Sequence, residues 1–232
     1  MSKASREAAG RWRLPALLAG VLTLLAGCSV GSGGGYTFAW YILSPSDSRG
    51  QANLSFLLKG FWATISISTL AMLISLIIGL LVALMGISKR RWVKRASRVY
   101  VEFFRSIPLL VMILWVYYGL PALTGLQLGV FMTGLVCLAI SDSAFTSEIF
   151  RSGLQSIKVG QGEAARSLGL KPWTTMRLVI LPQVVRAVLP ALGNQYVYVL
   201  KMSSLVSVIG FQELTRRANE LTLTEFRPLE IY

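Results

Sequence analysis

The chain has 232 residues, of which 54% are hydrophobic and 14% charged, with a formal net charge of +13 and a mean hydropathy of +0.61. This composition excludes an ordinary soluble domain, in which about 25% of residues are charged. The sequence has two cysteines and no histidine, which excludes a zinc site built on histidine or a cysteine cluster, and also a histidine-dependent catalytic triad.

The N-terminal 30 residues have the pattern of a signal-like or membrane-anchor helix, with a basic start followed by an apolar run. The stretch Leu25-Ala26-Gly27-Cys28 also resembles the lipobox of bacterial lipoproteins, in which the cysteine is lipidated. An uncleaved helix and lipidation of Cys28 both remain open, and the helix is favoured because four-residue patterns arise easily in such composition. Residues 31–58, rich in glycine and serine, predict an external flexible linker.

Four further apolar segments are long enough to predict membrane spans: Phe61–Ile87, Val99–Leu120, Leu126–Ser147 and Thr175–Leu200. Basic residues cluster after the first of these and around the polar segment 157–182, which places both on the cytoplasmic side. The positive charge therefore reports topology and does not indicate a nucleic-acid partner. We predict an all-α integral membrane protein with about five spans, one N-terminal and four in the core, followed by a polar external loop after Lys201.

The polar segment contains its own structural signals. It predicts a short helix over 157–168, which Gly169 ends and after which Pro172 starts the next helix. Ala164 and Ala165 leave a low surface that another protein can approach closely. From spacing alone, a docking surface and a solvated connecting loop remain equal alternatives.

Sequence blocks that are found together in one transporter family occur here in order. They are Gly60–Thr64, Glu102–Val111, Ser147–Ala165 and Lys201–Leu205. A pattern that begins in the third block matches the EAA motif of bacterial ABC importer permeases. It consists of Glu163-Ala164-Ala165, then Gly169 after three residues, then Val179-x-Leu181-Pro182 after nine more. Over about 59–232 the chain resembles permeases of the polar amino acid uptake family, the histidine, glutamine, glutamate, arginine and opine group.

The resemblance implies a type I ABC importer transmembrane domain over 59–232, with its coupling loop at about 157–182. It also implies a final core helix after a segment like 227–232, where this chain stops, so we expect that helix to be missing. The implied function is a multi-pass permease subunit that moves polar amino acids across the bacterial inner membrane, among membrane lipids. A cytoplasmic ABC ATPase dimer drives it, a second permease copy or paralogue pairs with it, and an extracytoplasmic binding protein supplies the cargo.

The resemblance also implies that the chain is not an enzyme and needs no cofactor, since ATP is bound by the ATPase subunit. The sequence accordingly lacks the Gly-x-x-x-x-Gly-Lys-Ser/Thr motif that cradles nucleotide phosphates.

Two sets of candidate site residues follow. The family's coupling surface maps onto Gly160, Glu163, Ala164, Ala165 and Gly169. Polar residues at bilayer depth usually line an interior or a water-filled path, and the candidates for a substrate pathway are Asp142, Glu148, Lys201 and Ser204. For Asp142 a cationic substrate and a helix partner are both open, and Lys201 either attracts a substrate carboxylate or anchors the membrane interface. Glu148 either lines the pathway or pairs structurally near the cytoplasmic surface, and structural roles are favoured for most of these residues.

Two other functions compete with a permease. A membrane-anchored lipoprotein or scaffold without a pathway would explain the lipobox-like stretch but not the four ordered blocks. An ion-driven secondary transporter would need no coupling loop, and the sequence has no inverted internal repeat of the kind such transporters use.

Overall fold

The computed structural model describes residues 37–232, and its helices lie within Trp40–Tyr232, which form one unit. In chain order they are α1 (Ser48–Gly86), α2 (Arg91–Ser106), α3 (Leu109–Leu114), α4 (Leu120–Thr124), α5 (Val130–Ser156), α6 (Val159–Ser167), α7 (Pro172–Thr175), α8 (Leu181–Met202), α9 (Leu214–Glu225) and α10 (Pro228–Ile231). π-helical turns join α3 to α4 and α7 to α8, and 3-10 turns lie at Trp40–Leu43 and Ser203–Ile209. Residues 37–232 contain no β-strand, which confirms the all-α class for this part of the chain.

Three helical stretches of the described residues are long and apolar enough to cross a membrane: Ser48–Gly86, Val130–Ser156 and Pro172–Ile209. A fourth is obtained if α2 and the stretch Leu109–Thr124 are counted as one bent span. This agrees with the four core spans predicted. The predicted N-terminal helix and Cys28 lie outside the described residues.

Helix α1 is longer than predicted because it begins inside the segment expected to be a linker. The Asp47 carboxylate caps its first turn by accepting from a backbone N–H at 3.3 Å. Asn53 in α1 donates to Glu225 in α9 at 3.3 Å and to a backbone carbonyl of the preceding 3-10 turn at 3.1 Å. The prediction of a flexible linker over 31–58 was therefore wrong from Ser48 onward.

The segment predicted as a span at Val99–Leu120 is sharply bent. The axes of α2 and the following helix differ by 94°. Ile107 has an extended backbone, with φ −88° and ψ 123°, because the ring of Pro108 disfavours the helical conformation at the preceding residue. The span predicted here is therefore built of two helices that meet at this bend. The bend allows α3 to insert Ile113 fully into the core.

Helix α5 is the central element and packs against α1, α2, α3 and α8. Helix α5 approaches α1 closely at Gly79 of α1, where an added Cβ would lie 2.9 Å from the Cγ2 atom of Thr146 in α5. The residues buried in this core include Ile67, Leu135, Leu138, Val199 and Val206. Cys137 is 1% exposed within the same core.

The chain after α8 folds back onto the bundle. The 3-10 turn buries Val206 and Ile209, and Glu213 caps α9 by accepting from two backbone N–H groups at 2.8 and 2.6 Å. The Arg217 side chain donates to the Phe56 carbonyl of α1 at 3.1 Å, and its guanidinium lies 4.5 Å from the centre of the Phe56 ring. The prediction of a polar external loop was wrong, because the polar residues of this tail cap a helix and bond it to α1.

Candidate functional site

The predicted polar segment folds into α6, a tight turn and α7. Helix α6 ends in a Schellman motif, in which the N–H of Leu170 donates to the Ala165 carbonyl at 3.1 Å and that of Gly169 to the Arg166 carbonyl at 2.9 Å. Gly169 has a φ of +75°, a left-handed conformation that glycine adopts without steric cost. Pro172 is the first residue of α7, where no N–H is needed. The predicted short helix, its glycine end and the proline start of the next helix are confirmed.

Four of the five residues predicted for the coupling surface lie together on the exposed side of this segment: Gly160, Glu163, Ala164 and Gly169. Ala165 is 4% exposed and faces the rest of the chain, because successive residues of an α-helix point about 100° apart. The small side chain of Ala165 thus packs beneath the surface that Ala164 presents.

Three large apolar side chains also surround α6, and sequence reasoning missed them. Val159 is 77% exposed, Leu168 80% and Trp173 74%. Exposed apolar side chains that cluster, unlike scattered ones, mark interaction sites. The sequence feature that could have identified them is their position, because they flank a polar helix outside the predicted spans.

Asp142 lies at the junction of α1, α5 and α8 and is 3% exposed. One carboxylate oxygen accepts from Ser75 of α1 and from Thr146 of α5, the latter at 3.1 Å. The other accepts from the Gln195 amide of α8 at 2.5 Å. A buried carboxylate is tolerated when hydrogen-bond donors surround it, as they do here. The structure therefore gives Asp142 three partners within the bundle, and contact with a substrate stays a prediction.

Glu148 borders a polar cavity of about 360 Å³ between α2 and α5. Its two oxygens accept from the Nε and Nη2 atoms of Arg151 at 3.0 and 2.5 Å, and Arg151 also donates to Gln155 at 3.1 Å. The other charged residues that line the cavity are Lys94, Arg98, Glu102 and Arg105. Four basic and two acidic side chains therefore face one space, which can accommodate a molecule that carries both a carboxylate and an ammonium group. Of these residues, sequence reasoning identified Glu148 as a pathway candidate.

Lys201 lies at the far end of α8 and Ser204 in the 3-10 turn that follows it, and neither lines this cavity. Lys201 is exposed, and the Ser204 hydroxyl donates to its backbone carbonyl at 2.7 Å. The four predicted pathway residues are thus distributed over three places and do not form one cluster.

Residues 75–227 match the family described as "Binding-protein-dependent transport system inner membrane component". The chain is 38% identical over 180 residues to the "Probable glutamine ABC transporter permease protein" of Bacillus subtilis (strain 168), covering 78% of this chain and 83% of the relative. It is 35% identical over 196 residues to the "Glutamine transport system permease protein" of Escherichia coli (strain K12), covering 84% and 86%.

The fold is similar to that of solved transporters. A chain from the crystal structure of an amino acid ABC transporter with histidines superposes with a TM-score of 0.73 at 37% identity, covering 85% of this chain and 88% of that one. A chain of the methionine ABC transporter MetNI in an inward-facing conformation gives a TM-score of 0.65 at 20% identity, covering 78% and 87%, a similarity of fold alone. The family match includes the Asp142 junction, Glu148 and the whole of α6.

Proposed function

Because the chain belongs to the family of binding-protein-dependent transport system inner membrane components and is a permease of the amino-acid ABC importers, we propose that it carries polar amino acids, of which glutamine is the first to test. Glutamine is named for both of the relatives described above. The observation that carries the importer function is the surface of α6, which lies inside the matched region and combines small residues with exposed apolar ones.

The α6 surface is the docking site for a cytoplasmic ATPase subunit. Gly160 and Ala164 present almost no side chain, so a partner's backbone can approach closely, and Glu163 supplies a charged contact. Val159, Leu168 and Trp173 supply apolar area that such a partner would cover. The ATPase binds and hydrolyses ATP, and the permease itself holds no cofactor and catalyses no reaction.

A second permease copy or paralogue packs against α8. In the long helix Pro172–Ile209 the most apolar window is 11% buried within the chain, against 61% in α5 and 44% in α1. Exposed apolar residues recur along α8 at Leu181, Val185 and Leu189, with the spacing of one helix face. A face of this kind is suited to a partner helix in the membrane.

The polar cavity between α2 and α5 is part of the cargo's path. The basic side chains of this cavity can bind the carboxylate of an amino acid, and its acidic side chains can bind the ammonium group. This agrees with the prediction that Glu148 lines a substrate pathway. The protein is multi-pass in the bacterial inner membrane with α6 in the cytoplasm, and an extracytoplasmic binding protein delivers the cargo. A lipoprotein or scaffold without a pathway would not require such a cavity.

The coupling role is tested by Glu163→Arg in the complete transporter. We expect the ATPase subunit to be lost from the purified complex, because the substitution reverses a charge and places a long side chain beside Ala164. The matched control is Arg49→Glu, a charge reversal at an exposed residue near the start of α1. Unchanged ATPase binding together with unchanged uptake for Glu163→Arg would refute the docking site.

The cargo is tested with the complete transporter in proteoliposomes. Uptake of labelled glutamine is measured in competition with an excess of other amino acids, and a polar amino acid is expected to compete best. Glu148→Gln is expected to reduce uptake while the ATPase subunit stays bound. If no amino acid is taken up by a complex that still hydrolyses ATP, the cargo assignment is wrong and the coupling role stands.

A further inference from the structure

We propose that the first half of α2 is a binding site for the headgroups of anionic phospholipids. Its basic residues are Arg91, Lys94, Arg95 and Arg98, which we call the basic stripe. These positions are spaced i, i+3, i+4 and i+7, so they lie on one face of the helix. All four are exposed, and together with Trp92 they line an open groove of about 550 Å³.

The orientation of the stripe is set by the packed face of α2. The Ser97 hydroxyl donates to the Val82 carbonyl of α1 at 2.8 Å, and the Tyr100 hydroxyl bonds to Ser143 of α5 at 2.7 Å. Val101 is buried on the same side. These contacts hold the helix so that Arg91 and Arg95 face away from the bundle, while Lys94 and Arg98 lie between the groove and the polar cavity.

Among residues 37–232 no acidic side chain forms an ion pair with the stripe, since the ion pairs there join Arg151 to Glu148, Arg216 to Glu220 and Arg227 to Glu230. The acidic residue of α2, Glu102, borders the polar cavity together with Lys94 and Arg98. Arg91 and Arg95 do not border that cavity and therefore present unneutralised positive charge to whatever lies beside them.

The sequence of exposed side chains along α2 indicates that a membrane lies beside it. Trp92 is 80% exposed and has the Arg95 guanidinium 5.8 Å from its ring centre. Tryptophan is enriched at the headgroup level of a bilayer. Further along the helix Val99 is 59% and Phe103 55% exposed, and their i+7 and i+11 spacing from Trp92 places all three on one face. An exposed aromatic and apolar face beside a basic one is typical of a helix at the membrane interface, whereas a docked soluble protein would not require it.

Anionic headgroups are the complementary occupants. Basic residues close to an anionic membrane surface strengthen binding by about fivefold each. The inference does not depend on the cargo or on the coupling role of α6, since it uses residues of α2 alone. It goes beyond transport and assigns the protein a preference for the lipids around it.

The test uses the full chain in phosphatidylcholine vesicles that contain a minor fraction of brominated phosphatidylglycerol, which quenches nearby tryptophan fluorescence. The chain has six tryptophans, so Trp92→Phe is subtracted to isolate the signal of Trp92. We expect stronger quenching of Trp92 by brominated phosphatidylglycerol than by the same fraction of brominated phosphatidylcholine. Arg91→Gln with Arg95→Gln should reduce this preference at least tenfold, because two basic residues are removed. Arg91 and Arg95 are chosen since Lys94 and Arg98 also border the polar cavity.

The matched control is Arg166→Gln with Lys171→Gln, which removes two exposed basic residues near α6 and should leave the preference intact. Arg91→Lys with Arg95→Lys should also retain it. The proposal fails if the Arg91 and Arg95 glutamine variant keeps the preference, or if the control loses as much. If the glutamine variant keeps the lipid preference and the ATPase subunit no longer co-purifies with it, the stripe is instead a protein-docking surface. In the wild type the preference must weaken at high salt, and a preference that salt does not change would overturn the proposal without any variant.

Discussion

Replacing Asp142 with alanine is expected to destabilise the protein by about 2–4 kcal/mol. Asp142 accepts hydrogen bonds from Ser75, Thr146 and Gln195. Side-chain hydrogen bonds between membrane helices contribute about 0.6 kcal/mol each on average, so three give roughly 2 kcal/mol as a lower figure. The upper figure includes donors that are left buried without an acceptor, at about 1–3 kcal/mol for each group that finds no new partner. The free energy of unfolding in detergent micelles is the measurement.

Gln195→Leu separates the contribution of α8 from that of α1 and α5, because it removes one of the three bonds. We expect a loss of about 0.6–1.7 kcal/mol, and less than that when Asp142 is already alanine. The control is Glu163→Ala, an acidic residue on the exposed face of α6, which should change the free energy of unfolding by less than about 0.5 kcal/mol. If Asp142→Ala costs no more than this control, the junction does not stabilise the bundle.

Three further predictions concern other parts of the molecule. An added Cβ at Gly153 would lie 2.1 Å from a methyl carbon of Val188, so Gly153→Ala should cost about 1–3 kcal/mol in the same unfolding assay, whereas Gly193→Ala, with nothing within 4 Å, should be neutral or stabilising. Gly169→Val should weaken co-purification of the ATPase subunit because valine is strained at φ +75°, while Gly169→Asn should retain it; equal behaviour of the two would contradict the role of the turn. Hydrogen bonds from Gln212 and Arg216 lower the pKa of Glu220 in the folded state. At a pH above the unfolded-state pKa, this lowered pKa stabilises the folded protein. The stabilisation is lost as the pH falls through the folded-state pKa. The melting temperature of the wild type should therefore exceed that of Glu220→Gln at neutral pH, and the difference should disappear in acid.

Features set by local chemistry could be predicted from the sequence. Gly169 and Pro172 mark the end of one helix and the start of the next because each has backbone properties that its neighbours cannot override. The apolar spans follow from length alone. The bend at Pro108 was also a local signal, but the hydropathy of the segment continues through it and suggested one helix.

Features that depend on which distant residues meet could not be predicted. Ser75 and Gln195 are 67 and 53 residues from Asp142 along the chain, so its carboxylate gave no indication of its partners. The burial of Ala165 depends on which face of α6 packs, and a helix of small and polar residues has no apolar stripe to decide that. The polar sequence of α9 similarly concealed a helix whose packing rests on Glu213 and Arg217.

The sparse burial of the Pro172–Ile209 helix also determines how readily it moves. In a bilayer, lipid tails cover the apolar surface of a displaced helix, so the free energy lost is that of its packing against neighbouring helices. Helix α8 is little packed within the chain and is displaced more easily than the well-buried α5. Its 38 residues extend about 57 Å, and a tilt of about 5° around the buried end near Val206 moves the other end by about 5 Å. That other end carries α6. A displacement of a few ångströms imposed at α6 is therefore a small rotation of this long helical stretch, whose other end lies near Val206.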